Sequence, residues 1–135
     1  MIKLFIGAKG SGKTKTLIDL ANNATAASNG SVVCIEKGDK LRYDVKYQAR
    51  LIDTDEYFVD DAQSLFGFVA GILASNHDVT DLFVDSALKI CKNDLAGFDT
   101  FVADLDKLVE KVGVNVVITS SIPTEEASEI VKKFI

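Results

Sequence analysis

Gly7, Gly12, Lys13 and Thr14 stand at the spacing GxxxxGK followed by Ser or Thr, inside the stretch GAKGSGKT that comes directly after the apolar run MIKLFI. Glycine at this density costs backbone entropy, so a loop that keeps it uses main chain where a side chain would obstruct. The chemistry this suits is anion binding. Backbone N–H groups from Ala8 to Thr14 can turn inward as a ring of donors, and a helix that follows aims the positive end of its dipole at the same point. Gly7, Ala8, Lys9, Gly10, Ser11 and Gly12 are therefore read as a phosphate cradle. Lys13 is read as the cation that reaches the β- and γ-phosphates, and the Thr14 hydroxyl as one ligand of Mg²⁺.

Such a loop works only between a strand and a helix, and both are legible. MIKLFI reads as a short strand buried on both faces, and Leu17, Leu20, Ala21 and Ala24 recur at helical spacing up to a stop at Ser28-Asn29-Gly30. SVVCIE, ARLID (49–53), DLFVD (81–85) and VNVVITSS follow as four further strands. Asp60, three residues before Gln63, is expected to start a helix running to Leu73, with Gly67 and Gly71 allowing close approach to a sheet. Phe98 to Val112 carries one apolar face of a long helix that ends at Gly113, and Pro123 or Thr124 is expected to open a last helix through Phe134. Strands alternating with helices predict an α/β fold, a three-layer α/β/α arrangement around a central, mainly parallel sheet of about five strands. The 135 residues suffice for one domain and one site, with no linker, repeat or low-complexity segment.

With loop, preceding strand and following helix together, the chain resembles the P-loop NTPase superfamily, GAKGSGKT taking the place of its Walker A motif. The resemblance implies a single P-loop NTPase domain over 1–135 that binds ATP with Mg²⁺. It also implies a carboxylate at the end of an apolar strand to hold the metal through water, a part that Asp85 after LFV fits and for which Asp53 after RLI is the rival. Where many such ATPases carry a glutamate after that aspartate, this chain has Ser86. A branch resembling RecA and the hexameric helicases places its glutamate at the end of the strand after the P-loop helix, which here is Glu36, a candidate water-activating base. Thr119 or Ser120, at the end of the last strand, stands where that likeness expects a residue sensing the γ-phosphate. The element order is also similar to small thymidine kinases, although DS replaces their DE pair and their zinc-binding cysteines have no counterpart. The expectation is a Mg-dependent ATP-binding protein with weak or partner-regulated ATPase activity. A nucleoside kinase-like phosphotransferase and a non-hydrolysing nucleotide-dependent binding module are the alternatives.

Charge narrows the partners. The net charge of −5 and a pI near 4.8 argue against broad binding to nucleic acid or anionic membrane. Only Lys37 to Arg50 runs the other way, a local +3 that leaves −8 for the remainder and includes both arginines, Arg42 and Arg50. If Asp39 caps a helix here, Arg42, Lys46 and Arg50 share one stripe beside Tyr43 and Tyr47, while Leu41, Val45 and Ala49 face inward. Three readings stay open for it: a solvated face, a contact with a protein partner or second subunit, and a single-stranded nucleic acid surface. Asp53, Asp55, Glu56, Asp60 and Asp61 lack a calcium loop's spacing and read as solvated caps. Cys34 and Cys91 lie outside any CxxC pattern, His77 falls in a turn-like stretch, and no run reaches the length of a membrane span. With no signal-peptide pattern before the loop, the expected location is cytoplasmic.

Overall fold

Five runs become strands, and the three central ones are covered on both faces. The computed structural model describes Met1–Ile135 throughout. Its strands are β1 (Ile2–Ile6), β2 (Ser31–Glu36), β3 (Arg50–Asp53), β4 (Val79–Val84) and β5 (Asn115–Ser120). They form one parallel sheet in the order β1-β5-β4-β2-β3. Successive residues of the central strands point to opposite layers. Val33, Ile35, Leu82, Val84, Val116 and Ile118 enter a large core, whereas Val32, Cys34 and Phe83 enter a smaller one behind them. Two buried layers leave no position for a polar residue inside β2, so its run is continuous rather than alternating. Burial pushes the Cys34 thiol up to about 12, with the Asp85 and Glu36 charges adding to the effect.

The helices are α1 (Lys13–Ala27), α2 (Ala62–Ser75), the single turn α3 (Ala87–Ile90), α4 (Leu95–Val112) and the short α5 (Glu129–Lys132). α1 and the segment 37–49 close the smaller core through Leu17, Ala21, Leu41, Val45 and Ala49. α2, α4 and the C-terminal segment close the larger one through Leu65, Val69, Phe98, Phe101, Leu105 and Val131. The result is the three-layer α/β/α arrangement. No helix is long and apolar enough to cross a membrane.

Several local expectations change. β1 is an edge strand with Lys3 exposed rather than a strand buried on both faces, and its outer edge is met by the C-terminal chain, where Leu4 N–H donates to Phe134 O at 2.8 Å. α2 is capped by Asp61, not Asp60. The Asp61 carboxylate accepts Ser64 N–H at 2.7 Å while Ser64 Oγ accepts Asp61 N–H at 3.1 Å. Gly67 and Gly71 lie on the exposed face of α2, and a Cβ at either would meet nothing within 4 Å, so they mediate no close approach to the sheet. The last helix is broken into a 3₁₀ turn, Thr124–Glu126, and α5. Ala127 is extended between them, and Ser128 restarts the helix by accepting Val131 N–H while donating to Asp99.

The segment 37–49 is a series of turns, not a helix capped by Asp39. Side chains from elsewhere take its main-chain groups. Glu36 accepts Lys40 N–H and Leu41 N–H, and Asn22 of α1 donates to Asp44 O and accepts Lys46 N–H. Leu41, Val45 and Ala49 nevertheless face inward, leaving Tyr43 and Tyr47 exposed and Arg50 on β3.

Candidate functional site

The loops after β1, β2, β4 and β5 all emerge at the carboxyl edge of the sheet, where open parallel folds bind ligands. The loop 7–12 leaves β1 there and turns into α1. Gly10 (φ +86°) and Gly12 (φ +87°) occupy the left-handed region, and a Cβ at either would strike nothing; conformation, not crowding, requires glycine.

Of the backbone amides from Ala8 to Lys15, only that of Ser11 finds an acceptor in the protein, Ala8 O at 3.2 Å. The others are free donors, among them the first amides of a 15-residue helix. Lys13 Nζ stays at this loop, donating to Ala8 O (2.9 Å), Gly7 O (3.1 Å) and Ser11 Oγ (3.2 Å). Main-chain carbonyls are weak partners for an ammonium, which an anion entering the loop would displace at little cost.

Beside the loop, Thr14 Oγ1 donates to the Asp85 carboxylate at 3.1 and 3.3 Å. Asp85 follows β4 directly and is 7% exposed. Thr119 Oγ1 donates to its Oδ1 at 2.7 Å while accepting Ser86 N–H at 2.8 Å, and Ser86 Oγ donates to Oδ2 at 3.4 Å. One carboxylate and one hydroxyl from the protein are a donor set that suits Mg²⁺, which keeps waters and takes phosphate oxygens for its other positions. Asp53 is elsewhere employed, its Oδ1 accepting Gly38 N–H and Asp55 N–H at 2.7 and 2.9 Å. Thr14 therefore meets Asp85 and not Asp53. Ser120 Oγ turns away to accept Leu88 N–H, whereas Thr119 faces the cleft.

Glu36, the last residue of β2, lies in the same cleft at 3% exposure. Its two oxygens each accept one amide, from Lys40 and from Leu41, both at 3.1 Å. Desolvation holds its proton affinity above the usual carboxylate range; the Leu41 and Lys40 bonds oppose that, and the Asp85 and Asp53 charges add to it.

Together these segments enclose a cleft of about 640 Å³, within the range of small-molecule sites. Lys37 and Lys40 from the segment after β2, and Lys89 from α3, also line it. Sequence reasoning passed over all three as site residues. Only their position just beyond strand ends could have marked them, because loop lysines have no periodicity to read. Neither arginine lines the cleft. Arg42 pairs with Asp39 at 3.7 Å and lies over the Tyr43 ring, and Arg50 sits at the opposite end of β3 from Asp53. No protein-family model matches the chain, and no curated protein matches its sequence.

Proposed function

We propose that this chain is a P-loop NTPase-like protein that binds ATP with Mg²⁺ in the cleft over Gly7–Thr14, with weak or partner-regulated hydrolysis. The observation that carries the reading is the run of amides from Ala8 to Lys15, free but for Ser11, with the Lys13 ammonium beside it. Amides that find no protein acceptor on a fixed loop supply oriented positive charge with no reorganisation when an anion arrives. The β- and γ-phosphates take these donors, and Lys13 exchanges its carbonyl partners for phosphate oxygens. Thr14 and Asp85 would hold Mg²⁺, which neutralises charge on the phosphate chain. Thr119 orients the Asp85 carboxylate by its 2.7 Å bond.

In the hydrolytic form of the reading, a water oxygen attacks the γ-phosphorus, the bond to the β-γ bridging oxygen breaks, ADP leaves, and Glu36 accepts the water's proton. Its desolvated carboxylate favours that proton, and its place in the cleft supports the role. Ser86 after Asp85, and the amide bonds already made by both Glu36 oxygens, favour the second reading, a nucleotide-dependent binding module. In either form the exposed Tyr43 and Tyr47 beside Arg42 and Lys46 supply the surface for a protein partner or a second copy. A cytoplasmic location accords with the use of ATP.

Thermal unfolding with ATP and ADP, with and without Mg²⁺, tests the assignment. At a hundred times Kd, ATP·Mg²⁺ is expected to add about 2.7 kcal/mol, a rise of about 10 °C for a domain of this size. Lys13→Ala is expected to fold normally and lose the shift. An equal shift in wild type and Lys13→Ala would overturn the assignment.

A further inference from the structure

The cleft has an uneven chemistry. Lys9, Lys13, Lys15, Lys37, Lys40 and Lys89 line it, against the two carboxylates of Glu36 and Asp85, in a chain whose net charge is −5. Of these lysines only Lys15 and Lys37 have a carboxylate partner, Asp19 at 3.6 Å and Asp55 at 2.7 Å. Lys9, Lys13, Lys40 and Lys89 make no ion pair. They come from three separate segments, after β1, after β2 and after β4, and so surround the loop from different sides.

What would hold a nucleobase is missing from the same walls. The only apolar side chains are Leu41 and Leu88, both buried to within a few per cent, and no aromatic ring lines the cleft. The exposed rings of the chain, Tyr43, Tyr47, Tyr57 and Phe58, all lie outside it. A base bound with selectivity needs an apolar slot and groups that match its edge. Sites built that way reject the wrong partner by factors of roughly 10⁴ to 10⁵, because a mismatch leaves buried polar groups unpaired. Asn93 is the one amide side chain here, and a single exchangeable hydrogen bond cannot supply that discrimination. Lysine ammoniums are mobile point charges that follow an anionic chain without demanding one geometry.

We infer that this cleft reads the polyphosphate chain and leaves the base unread, so that its ligand class is the triphosphate group itself, whether inorganic or carried by a purine nucleoside. The inference rests on the triphosphate reading above and deepens it: ATP is a ligand through its phosphates alone.

Calorimetric titration of the full chain with inorganic tripolyphosphate, ATP and GTP, in Mg²⁺ and 0.15 M salt, separates the two. The expected result is three Kd values within tenfold of one another. A nucleotide bound more than tenfold tighter than tripolyphosphate, or ATP and GTP differing by more than tenfold, overturns the inference and leaves the triphosphate site standing. Binding of none of the three removes the site, and the inference with it. Lys40→Ala combined with Lys89→Ala is expected to weaken all three ligands by a common factor, and a loss confined to the nucleotides contradicts the inference.

Discussion

Thr14 and Asp85, 71 positions apart in the chain, meet through a 3.1 Å hydrogen bond although the strands that deliver them are not neighbours. β5 runs between β1 and β4, and its Thr119 donates to the same carboxylate. The acid is thus aligned by hydroxyls from two sides.

Asp85→Asn keeps one acceptor but confronts hydroxyl donors with an NH₂ group. Stability is expected to fall by about 1 kcal/mol, the scale of one compromised hydrogen bond. The enhancement of ATP affinity by Mg²⁺ is expected to shrink at least tenfold, while Mg²⁺-free binding changes little. Titrations with and without the metal read this directly, and an undiminished enhancement would remove Asp85 from the metal's ligands.

Glu36 sets a pH dependence whose sign follows from its raised proton affinity. The folded state holds this proton more tightly than the unfolded state, so the group favours folding below its ordinary value of 4.5 and loses that contribution as pH rises from 4.5 toward the folded value. Glu36→Gln removes the titration. Urea unfolding at several pH values from 4 to 7 is expected to show wild type losing stability relative to the variant as pH rises, and a relative gain would contradict the desolvated placement. The same variant decides the base role: turnover unchanged from wild type would leave Glu36 as an anchor only.

Gly67 and Gly71 give a prediction of the opposite kind. Each sits mid-helix on an exposed face with open space where a Cβ would go. Gly67→Ala and Gly71→Ala are each expected to stabilise the protein by about 0.5–1 kcal/mol through lower unfolded-state entropy. The urea midpoint should rise with an unchanged slope. Destabilisation would mean that this face is covered.

Legibility followed physical cause residue by residue. β2 and β4 were readable because burial on both faces leaves an unbroken apolar run, and the loop 7–14 because its dihedral angles demand glycine. The position of β1 at the sheet edge was not readable, since an apolar run does not say which strand lies beside it. Glu36 was legible as a strand-end acid, yet its bonds to Lys40 and Leu41 depend on how the following segment folds back. Asp85 was legible as the acid closing the apolar run LFV, yet its bonds to Thr14 and Thr119 depend on how distant segments meet. Lys37, Lys40 and Lys89 were missed because nothing in their immediate neighbours separates a cleft lysine from a solvated one. The same absence of local signal hid the break at Ala127, where extended backbone and the Ser128 cap interrupt a helical spacing that continues through Val131.

The segment after β2 is tethered by Glu36 and Asn22 through its peptide groups, and by Leu41, Val45 and Ala49 through the core beneath it. Its outward letters, such as Asp39, Arg42, Tyr43 and Tyr47, are therefore interchangeable without disturbing where the backbone runs. This patch can be rewritten in sequence while the glycine loop 7–14 stays as it is, much as a socket accepts new fittings.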